Sequence, residues 1–519
     1  MNREWNSVEE VHAHAKKAVN KKVKEIVNPE TVLNYNPKNK GWVGNSIESD
    51  WFELPNNTRQ EADFPHLNLE LKVTPIRETK NGWSAKERLV LNIFDFHDEY
   101  KRQFENASFL EKSNLMELIY YEFIKETPAP EFYIKAATLF NLDDIPEEDK
   151  LIIKQDWELI VNKIKEGKAE ELSDSLTKYL GATTKGSKTE KNMTSQPFSD
   201  VKAHRRSFTL KGSYMTELAR KIMSGKYKDS YNNLGQEDSH VAEEGVAYYT
   251  PEPIIKNIEQ LKVKTFEEII IDLFDPFINL TKSKLGNIFN VNIPKRNDKA
   301  SAPILARKML NLRTNIEDTE EFRKAGISLK VVTVRSNQMN NPYHKRKTTE
   351  PFKLQNFFDF QDIVKEDWEE SDLYEYLSSV RFLLVIFEET PNEEIFKGVK
   401  FWSMPNRDLN GLVYETWKKT INIIKEGVTL KYSPDNSKKG YRVENNLPAI
   451  KDKTILHTRP DARVSSYKNN NCALRLPVAA NWINRPANMT GELTDYYMTK
   501  QAFWLNSSYM YQQVEEFFE

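Results

Sequence analysis

The chain has 519 residues, enough for about two to four domains with sizeable cores, and 39% of its residues are hydrophobic. Its formal net charge of −2 excludes a histone-like or tail-mediated nucleic-acid binder, so any affinity for DNA must come from a locally basic cleft. A single cysteine, Cys472, excludes an intramolecular disulfide framework, and no apolar run approaches the roughly 18 residues of a membrane span. We therefore expect a globular, cytoplasmic protein without a membrane partner.

Hydrophobic periodicity predicts a mixed α/β unit in the first half of the chain. Apolar residues at three- and four-residue steps predict an amphipathic helix over residues 8–26, with His12 near its polar side. Alternating stretches then predict strands, and longer periodic stretches predict helices. The strands are expected at residues 67–74, 88–94 and 116–122, and the helices at 149–166, 168–180 and 213–223. This succession indicates a mixed sheet flanked by helices.

The first of these strands carries the most informative side chains, in the run D-F-P-H-L-N-L-E-L-K of residues 63–72. Its leucines alternate with polar residues, so Glu70 and Lys72 share one face while the leucines are buried. Asp63 arrives from the loop before the strand as a second carboxylate. Two carboxylates beside an ammonium can hold a hard cation and position water, as in a magnesium-dependent nuclease. Because acidic and basic residues are abundant, this triplet alone is usually just a solvated strand face.

Further motifs surround this strand. G-W-V-G-N-S-I-E-S-D-W lies upstream and contains Glu48, and F-L-E-K-S-N lies downstream and contains Lys112. S-A-K-E-R-L-V-L-N-I, D-W-E-L-I, Y-L-G-A-T-T-K-G and R-R-S-F-T-L-K-G-S-Y-M follow in that order. From the N-terminal helix to about residue 222, this series resembles the MutH mismatch-repair endonuclease and the GATC-cutting, Sau-type type II restriction endonucleases.

The resemblance implies an α/β restriction-endonuclease fold and a Mg²⁺-dependent site. It assigns catalytic roles to the residues that match the family's motif, which are Glu48, Asp63, Glu70, Lys72 and Lys112. We expect Asp63, Glu70 and the carbonyl of Leu71 to hold the cation. Two departures stand out: no Pro-Asp precedes the strand, and two threonines stand before Lys185 where MutH-like proteins often have Arg-Pro. The second departure leaves base readout and methylation sensing open.

Clustered basic residues are the expected contacts to DNA phosphates. In the first half these candidates are Lys86, Arg88, Lys185, Arg205 and Arg206. Each one taken singly is equally consistent with a solvated surface.

The second half begins after a polar stretch without periodicity. Residues 224–253 are predicted to be an interdomain linker, which separates a catalytic domain at residues 1–223 from a second domain at 254–519. In the second domain we expect strands at 327–334 and 380–387, helices near 264–284, 300–313 and 411–426, and a loop at 433–442.

Two ordered matches indicate that the second domain repeats the first. The helix from Trp157 to I-K-E-G matches that from Trp417 to I-K-E-G, and F-x-L-x-x-S-Y-M recurs at residues 208–215 and 503–510. This alignment sets L-N-L-E-L-K-V-T against G-I-S-L-K-V-V-T. The catalytic positions of the second copy are then Ser328 for Glu70, Lys330 for Lys72, Glu321 for Asp63 and Ser379 for Lys112.

The loss of its central carboxylate predicts that the second copy is degenerate and cannot bind Mg²⁺ through paired ligands. The Sau-type resemblance implies a DNA-binding, allosteric effector domain, with Lys330 and Arg459 among its DNA contacts. The alternative is a scaffold without DNA affinity. A chain that ends near residue 240 is expected to keep the chemistry.

Together these observations predict a Mg²⁺-dependent type II restriction endonuclease of a restriction-modification system that hydrolyses duplex DNA, and the family resemblance implies GATC as its target. One active centre per chain means that a double-strand break requires two sequential cuts or two chains meeting on DNA. Two alternatives are open: a MutH-like nicking endonuclease of mismatch repair, which the extra half disfavours, and a non-catalytic DNA-binding regulator. Methylation sensitivity and the position of the cut do not follow from the sequence.

Overall fold

The structure is a computed structural model that describes residues 3–55, 61–80, 82–186, 192–227, 251–294, 300–436, 440–452 and 454–519. Its contacts divide the chain into two compact units. The first unit contains Met1–Ile270 and Leu312–Ile327, and the second contains Ile271–Asn311 and Ser328–Glu519. Among the described residues, no helix is both long and apolar enough to cross a membrane. Each unit contains helices and mixed or antiparallel sheets, which agrees with the α/β class predicted from the sequence.

Helices and strands are interspersed along the described residues. In chain order, the helices are α1 (Val8–Lys16), α2 (Val23–Ile26), α3 (Pro29–Leu33), α4 (Trp42–Ser46), α5 (Phe96–Glu99), α6 (Ser108–Ser113), α7 (Glu147–Lys165), α8 (Gly212–Met223), α9 (Phe266–Phe274), α10 (Lys282–Phe289), α11 (Ser301–Met309), α12 (Glu320–Ala325), α13 (Phe360–Ile363), α14 (Asp372–Ser379), α15 (Asn406–Asp408), α16 (Tyr414–Glu426) and α17 (Ser507–Gln512). The strands are β1 (Leu69–Thr79), β2 (Gly82–Ala85), β3 (Leu89–Phe94), β4 (Leu115–Glu122), β5 (Ile134–Asn141), β6 (Leu180–Thr184), β7 (Met193–Gln196), β8 (Ser199–His204), β9 (Arg206–Leu210), β10 (Ile327–Arg335), β11 (Phe352–Lys353), β12 (Arg381–Glu389), β13 (Glu394–Trp402), β14 (Thr429–Pro434), β15 (Tyr441–Asn445), β16 (Leu456–Pro460), β17 (Ala473–Arg475), β18 (Asn481–Ile483), β19 (Tyr497–Thr499) and β20 (Gln501–Leu505).

The candidate site lies on the four-stranded sheet of the first unit, which has the strand order β2-β1-β4-β5. β1 and β4 are parallel, and the other two pairings are antiparallel. Leu69 and Leu71 of β1 are buried in the hydrophobic core that residues of α1 also form. Because side chains alternate along a strand, Glu70 and Lys72 lie on the face opposite to that core. The predicted alternation of this strand is therefore confirmed.

A second, smaller sheet of the first unit has the order β3-β9-β6, and β7 and β8 form a separate antiparallel hairpin. The helix predicted at residues 168–180 is wrong, because this stretch contains only short 3₁₀ turns before β6. The reason lies in α7, where the buried carboxylate of Asp156 accepts the backbone N–H groups of Lys178, Tyr179 and Leu180. These hydrogen bonds fix the backbone at the start of a strand instead of a helix.

The first predicted helix is also shorter than the sequence suggests. α1 ends at Lys16, and Asn20 adopts a left-handed conformation with φ of 66°. The N–H of Asn20 donates to the carbonyl of Ile134, and Ile134 in turn donates to the carbonyl of Lys21. Pairing with the start of β5 therefore interrupts the helix predicted over residues 8–26.

The second unit contains three-stranded sheets with the orders β10-β12-β13, β11-β20-β16 and β15-β14-β18, and the pair β17-β19. Its core includes Trp402, Trp417 and Phe503. The helix predicted near 264–284 is two helices, α9 and α10, separated by a turn that contains Pro276. The loop predicted at 433–442 is shorter at both ends, because Ser433 and Pro434 belong to β14 and Tyr441 and Arg442 to β15; residues 437–439 of this stretch lie outside the described residues.

Residues 251–270 and 312–327 belong by their contacts to the first unit, and we call them the docked segments. The side-chain amide of Gln155 on α7 donates to the carbonyls of Leu261 and Lys264 and accepts the N–H of Phe266. The domain boundaries predicted from the sequence assign both segments to the second domain instead. Most of the predicted linker, residues 228–250, lies outside the described residues, so the linker stays a prediction.

A buried charged cluster holds the second docked segment. The ammonium of Lys324 on α12 lies 2.7 Å from Oδ1 of Asp149 on α7 and 2.8 Å from Glu320. The neighbouring Glu321 accepts the N–H groups of Ile254 and Ile255. The titratable groups of this cluster are Glu148, Asp149, Glu320, Glu321, Lys221, Lys324, Tyr179 and Tyr214. Carboxylates outnumber the two ammonium groups, so the charge balance of the cluster depends on pH.

Replacement of Glu148 by glutamine is expected to stabilise the protein above pH 8. Burial and the charge of Glu321 raise the pKa of Glu148 to about 8, from an ordinary value of 4.5. The stability that this protonated group contributes is fully present below pH 4.5 and is lost as the pH rises through about 8. Thermal unfolding from pH 5 to 9 should therefore show a flatter pH dependence for Glu148→Gln, with a melting temperature a few degrees higher at alkaline pH. Glu147→Gln, at an exposed position in the same turn, is the matched control and should follow the unaltered protein.

Candidate active site

A tight turn brings Asp63 back beside β1. Residues Pro65–Leu67 form a 3₁₀ turn, and Asn68 follows in the left-handed conformation with φ of 49°. The N–H of Phe64 donates to the carbonyl of Leu69 at 2.9 Å, which closes the turn. Asparagine tolerates this conformation better than most residues. The turn explains why two carboxylates seven positions apart meet at one place.

Asp63 and Glu70 fix one another through backbone hydrogen bonds. The N–H of Asp63 donates to Oε2 of Glu70 at 3.1 Å, and the N–H of Leu71 donates to Oδ2 of Asp63 at 3.0 Å. Both carboxylates are thus held in place before any ligand binds. Such preorganisation is what a catalytic site requires of its charged groups.

Two lysines approach the same carboxylate. The ammonium of Lys72 donates to Oε1 of Glu70 at 2.6 Å, and that of Lys112 lies 3.6 Å from the same oxygen. Lys112 lies in α6, immediately before β4, which is the parallel neighbour of β1. Burial raises the pKa of Glu70, and the charge of Lys72 opposes this shift.

Glu48 completes the group from a π-helical turn, Ile47–Trp51. Burial raises its pKa to about 6, and the negative charges of Asp63 and Glu70 contribute to the shift. Three carboxylates thus lie near enough to repel one another, and a cation or a proton relieves that repulsion. The other predicted catalytic residues are joined by direct contacts centred on Glu70, and Glu48 interacts with them electrostatically.

The donor set fits a hard cation held by few protein ligands. Asp63 and Glu70 offer carboxylate oxygens. Leu71, which lies between Glu70 and Lys72 in the strand, offers its backbone carbonyl. No group of three or more His, Cys, Asp and Glu side chains in the described residues is arranged to hold a metal ion by itself. Mg²⁺ commonly binds through one or two carboxylates and completes its coordination with water and substrate phosphate, so the residues present fit it.

The candidate DNA contacts of the first unit differ in their surroundings. Lys185 and Arg205 are exposed and adjacent, because the N–H of Lys185 donates to the carbonyl of Arg205. Lys86 lies 3.2 Å from Glu87, and Arg88 lies 2.8 Å from the buried Asp174.

Arg206 lies in a different environment. It is only 3% exposed, and its guanidinium donates to the carbonyl of Ala182 and to the hydroxyl of Thr184. These bonds hold β9 to β6. A buried guanidinium cannot reach a phosphate, which argues against the DNA contact expected for Arg206.

One buried pair behind the site was not found in the sequence. Glu117 of β4 is fully buried opposite Leu71, and both of its carboxylate oxygens lie within 3.2 Å of Nδ1 of His12. The expectation that His12 lies on the polar side of its helix is wrong. The detectable signal was a single carboxylate within the apolar run M-E-L-I-Y-Y, which requires a buried partner.

Comparison with known proteins gives matches in the part of the chain that contains this group. The family model described as the DNA mismatch repair enzyme MutH matches residues 52–156, which contain Asp63, Glu70, Lys72 and Lys112. MutH proteins of Shewanella woodyi and Shewanella oneidensis are 29% and 28% identical over 29% and 36% of this chain, and these matches cover 62% and 81% of the two relatives.

The similarity to one restriction enzyme extends over both units. The type II restriction enzyme Sau3AI of Staphylococcus aureus is 37% identical over 522 aligned positions, which cover 98% of each chain. A match of this length includes the MutH-like nuclease region and the whole second half. The chain therefore belongs to the Sau3AI family of type II restriction enzymes.

Proposed function

We propose that this protein is a site-specific endodeoxyribonuclease that uses Mg²⁺ to hydrolyse duplex DNA at GATC. The observation that carries the proposal is the mutual fixation of Asp63 and Glu70 beside two ammonium groups. This is the donor set that a metal-dependent phosphodiesterase needs. The GATC target rests on the family resemblance of the sequence motifs.

In this proposal Asp63, Glu70 and the carbonyl of Leu71 hold the cation. When bound, Mg²⁺ neutralises the negative charge that develops on the phosphoryl oxygens. The ammonium of Lys72 orients the attacking water and favours its deprotonated form. Lys112 adds positive charge beside Glu70, and Glu48, with its raised pKa, can accept a proton near neutral pH. In-line attack leaves a 5′-phosphate and a 3′-hydroxyl.

We propose Lys185 and Arg205 as contacts to the DNA in the first unit, because both are exposed and adjacent. Lys86 and Arg88 are weaker candidates, since each has a carboxylate partner that phosphate would have to replace. Phosphate contacts of this kind make affinity fall steeply with salt.

We infer that the second half is a degenerate copy of the nuclease fold. Both halves have, in the same order, a sheet (β1-β4-β5 or β10-β12-β13), a long helix (α7 or α16) and a strand followed by a helix (β9-α8 or β20-α17). A further match supports this proposal: F-D-F-x-D recurs at 94–98 and 358–362, and in each copy the aspartate accepts the N–H two residues ahead, as Asp95 and Asp359 do.

In the second copy Ser328 occupies the position of Glu70, and serine lacks the carboxylate that would bind the metal. We therefore propose that the second copy binds DNA without cleaving it. A cleft of about 970 Å³ is lined by Lys330, Arg335, Lys353 and Trp504, among other residues. The guanidinium of Arg459 lies 4.9 Å from the ring centroid of Trp504. Carboxylates neutralise part of this charge, since Arg335 pairs with Glu389 and Lys353 with Asp461.

The decisive experiment incubates the purified full chain with plasmids that carry methylated or unmethylated GATC sites and then maps the ends. Mg²⁺-dependent breaks within GATC support the proposal. Single-strand nicks alone would favour a MutH-like nicking enzyme, and binding without cleavage would favour a DNA-binding regulator. Dependence of the double-strand break on protein concentration would indicate that two chains meet on DNA.

The effector role has a separate test in the full chain. Arg459→Ala should lower the stimulation of cleavage by a second GATC site, while cleavage of a one-site DNA changes little. Arg442→Ala, an exposed arginine of the same unit paired with Glu444, is the matched control. Equal stimulation of both variants by the second site would favour the scaffold alternative.

The metal requirement gives a direct prediction. Mg²⁺ and Mn²⁺ should support cleavage, whereas Ca²⁺ should support DNA binding without turnover, because its larger and looser coordination sphere positions water and phosphate poorly. Cleavage and gel-shift assays with each metal test this expectation. Undiminished cleavage in excess chelator would contradict the assignment of Asp63 and Glu70 as metal ligands.

A further inference from the structure

Helix α12 is bonded to the nuclease unit along most of its length. The hydroxyl of Ser213 on α8 donates to the carbonyl of Lys324 at 2.7 Å, and the guanidinium of Arg323 lies 2.8 Å from Oε2 of Glu217, also on α8. The buried ammonium of Lys324 binds Asp149 on α7. Because these partners are buried or partly buried, the contact is specific rather than a surface ion pair.

A continuous series of contacts, the Arg323–Glu217 ion pair followed by hydrogen bonds, leads from α12 to the strand beside the catalytic one. Glu217 uses its second oxygen, Oε1, to bind the guanidinium of Arg220 at 2.6 Å. Arg220 donates through Nε to the carbonyl of Trp83 on β2 at 2.9 Å. One turn away on α8, the hydroxyl of Thr216 accepts the N–H of Ala85, also on β2.

β2 is the edge strand paired with β1. The position of α12 is therefore linked to the sheet that carries Glu70 and Lys72, through α8 and β2.

In the other direction α12 continues directly into the second unit. Gly326, with φ of 65°, ends the helix, and β10 begins at the next residue. β10 carries Ser328 and Lys330, the residues that correspond to the catalytic pair in the proposed second copy. Anything that binds beside Lys330 thus acts on a strand that follows α12 without an intervening loop.

We propose that α12 couples DNA binding by the second unit to catalysis in the first, with Arg323 and Lys324 as positioning residues for the catalytic strand. The inference rests on the proposed effector function and adds the route by which it acts. A ligand can shift an equilibrium only through different contacts in two states. The two states here both keep α12 docked on α8: DNA on the second unit favours the one in which Arg323 binds Glu217, and without that DNA the state in which this pair is broken predominates.

Arg323 is the residue that tests this route most cleanly. Lys324→Met would leave the carboxylate of Asp149 buried without its partner and would destabilise the fold as a whole. Arg323→Met leaves Glu217 paired with Arg220, so the unit retains its fold. Ser213→Ala is a second, milder variant that removes only the hydroxyl bonded to the carbonyl of Lys324.

The experiment uses the full chain and a linear DNA with a single GATC site. A short GATC duplex with non-hydrolysable linkages is added in trans as the probe, and the single-turnover cleavage rate is measured with and without it. In the unaltered chain the probe should raise the rate within the range of about 5- to 150-fold that is typical of allosteric coupling. In Arg323→Met the rate without the probe should be unchanged, and the stimulation should fall to about twofold or less.

Two controls separate this role from a structural one. Arg323→Lys keeps the positive charge toward Glu217 and should restore part of the stimulation. Lys262→Met alters an exposed ion pair with Glu259 in the other docked segment and should behave like the unaltered chain.

Full stimulation of Arg323→Met would overturn the proposed route through α12 and leave the effector function intact. Absence of stimulation in the unaltered chain would overturn the effector function and this inference together. Loss of stimulation in Arg323→Met and a reduced response in Ser213→Ala, with unchanged thermal stability, would support the route.

Discussion

Glu70→Ala is expected to reduce DNA cleavage by about a thousandfold or more and to leave DNA binding in Ca²⁺ largely intact. Glu70 is the residue on which the site converges: it accepts the N–H of Asp63 and binds the ammonium groups of Lys72 and Lys112. Losing an essential catalytic group typically costs several kcal/mol of activation free energy, and each 1.4 kcal/mol or so is a factor of ten. Single-turnover cleavage of a GATC oligonucleotide measures the effect.

Lys72→Ala and Asp63→Ala should behave like Glu70→Ala in this assay. Glu78 lies farther along the same strand at an exposed position, remote from the site. Glu78→Gln is therefore the control for loss of a carboxylate from this strand. Digestion at a nearly unaltered rate by any of the three site variants would show that the catalytic residues are assigned incorrectly.

A chain that ends at residue 240 is expected to lose both its stable fold and its cleavage activity. It lacks both docked segments, so Asp149 loses the ammonium of Lys324, and Gln155 loses its bonds to Leu261, Lys264 and Phe266. Removing one partner of a buried ion pair costs about 3–5 kcal/mol, a large part of the roughly 5–15 kcal/mol that stabilises a typical domain. Circular dichroism melts and cleavage assays of the shortened chain measure both losses.

Addition of a peptide that spans residues 251–327 should restore part of the activity if the docked segments are the missing component. A shortened chain that is soluble, melts cooperatively and cleaves DNA at the normal rate would support the sequence-based boundary at residue 223. This result would also mean that the docked segments are dispensable for the nuclease.

The site was more predictable from the sequence than the extent of the unit that contains it. Strand alternation alone placed Glu70 and Lys72 on one face, because the period of two is a local property of the backbone. The left-handed Asn68 and the two backbone bonds between Asp63, Glu70 and Leu71 were not predicted, although they set the geometry. Turn conformations of this kind depend on contacts with neighbouring strands.

Long-range contacts explain the remaining differences. Lys324 and Asp149 are 175 positions apart in the sequence, and no periodicity could pair them. Arg206 lies beside the exposed Arg205 in a basic run, and only the sheet shows that one guanidinium is buried and the other is not. The predicted helix at 168–180 failed because of a tertiary contact as well, since Asp156 on the preceding helix binds its last backbone N–H groups.

The docked segments also bear on the order in which this enzyme is made. A ribosome synthesises the chain from its N-terminus, so Asp63, Glu70, Lys72 and Lys112 are all present long before the docked segment at 312–327 emerges. Until then Asp149 has no ammonium partner, and the nuclease unit is incomplete. Premature termination between residues 113 and 311 yields a fragment that carries all four of these candidate catalytic residues but lacks part of the unit that holds them. We expect such unfinished fragments to be inactive, so that the chromosome of the cell is not exposed to a partly synthesised nuclease.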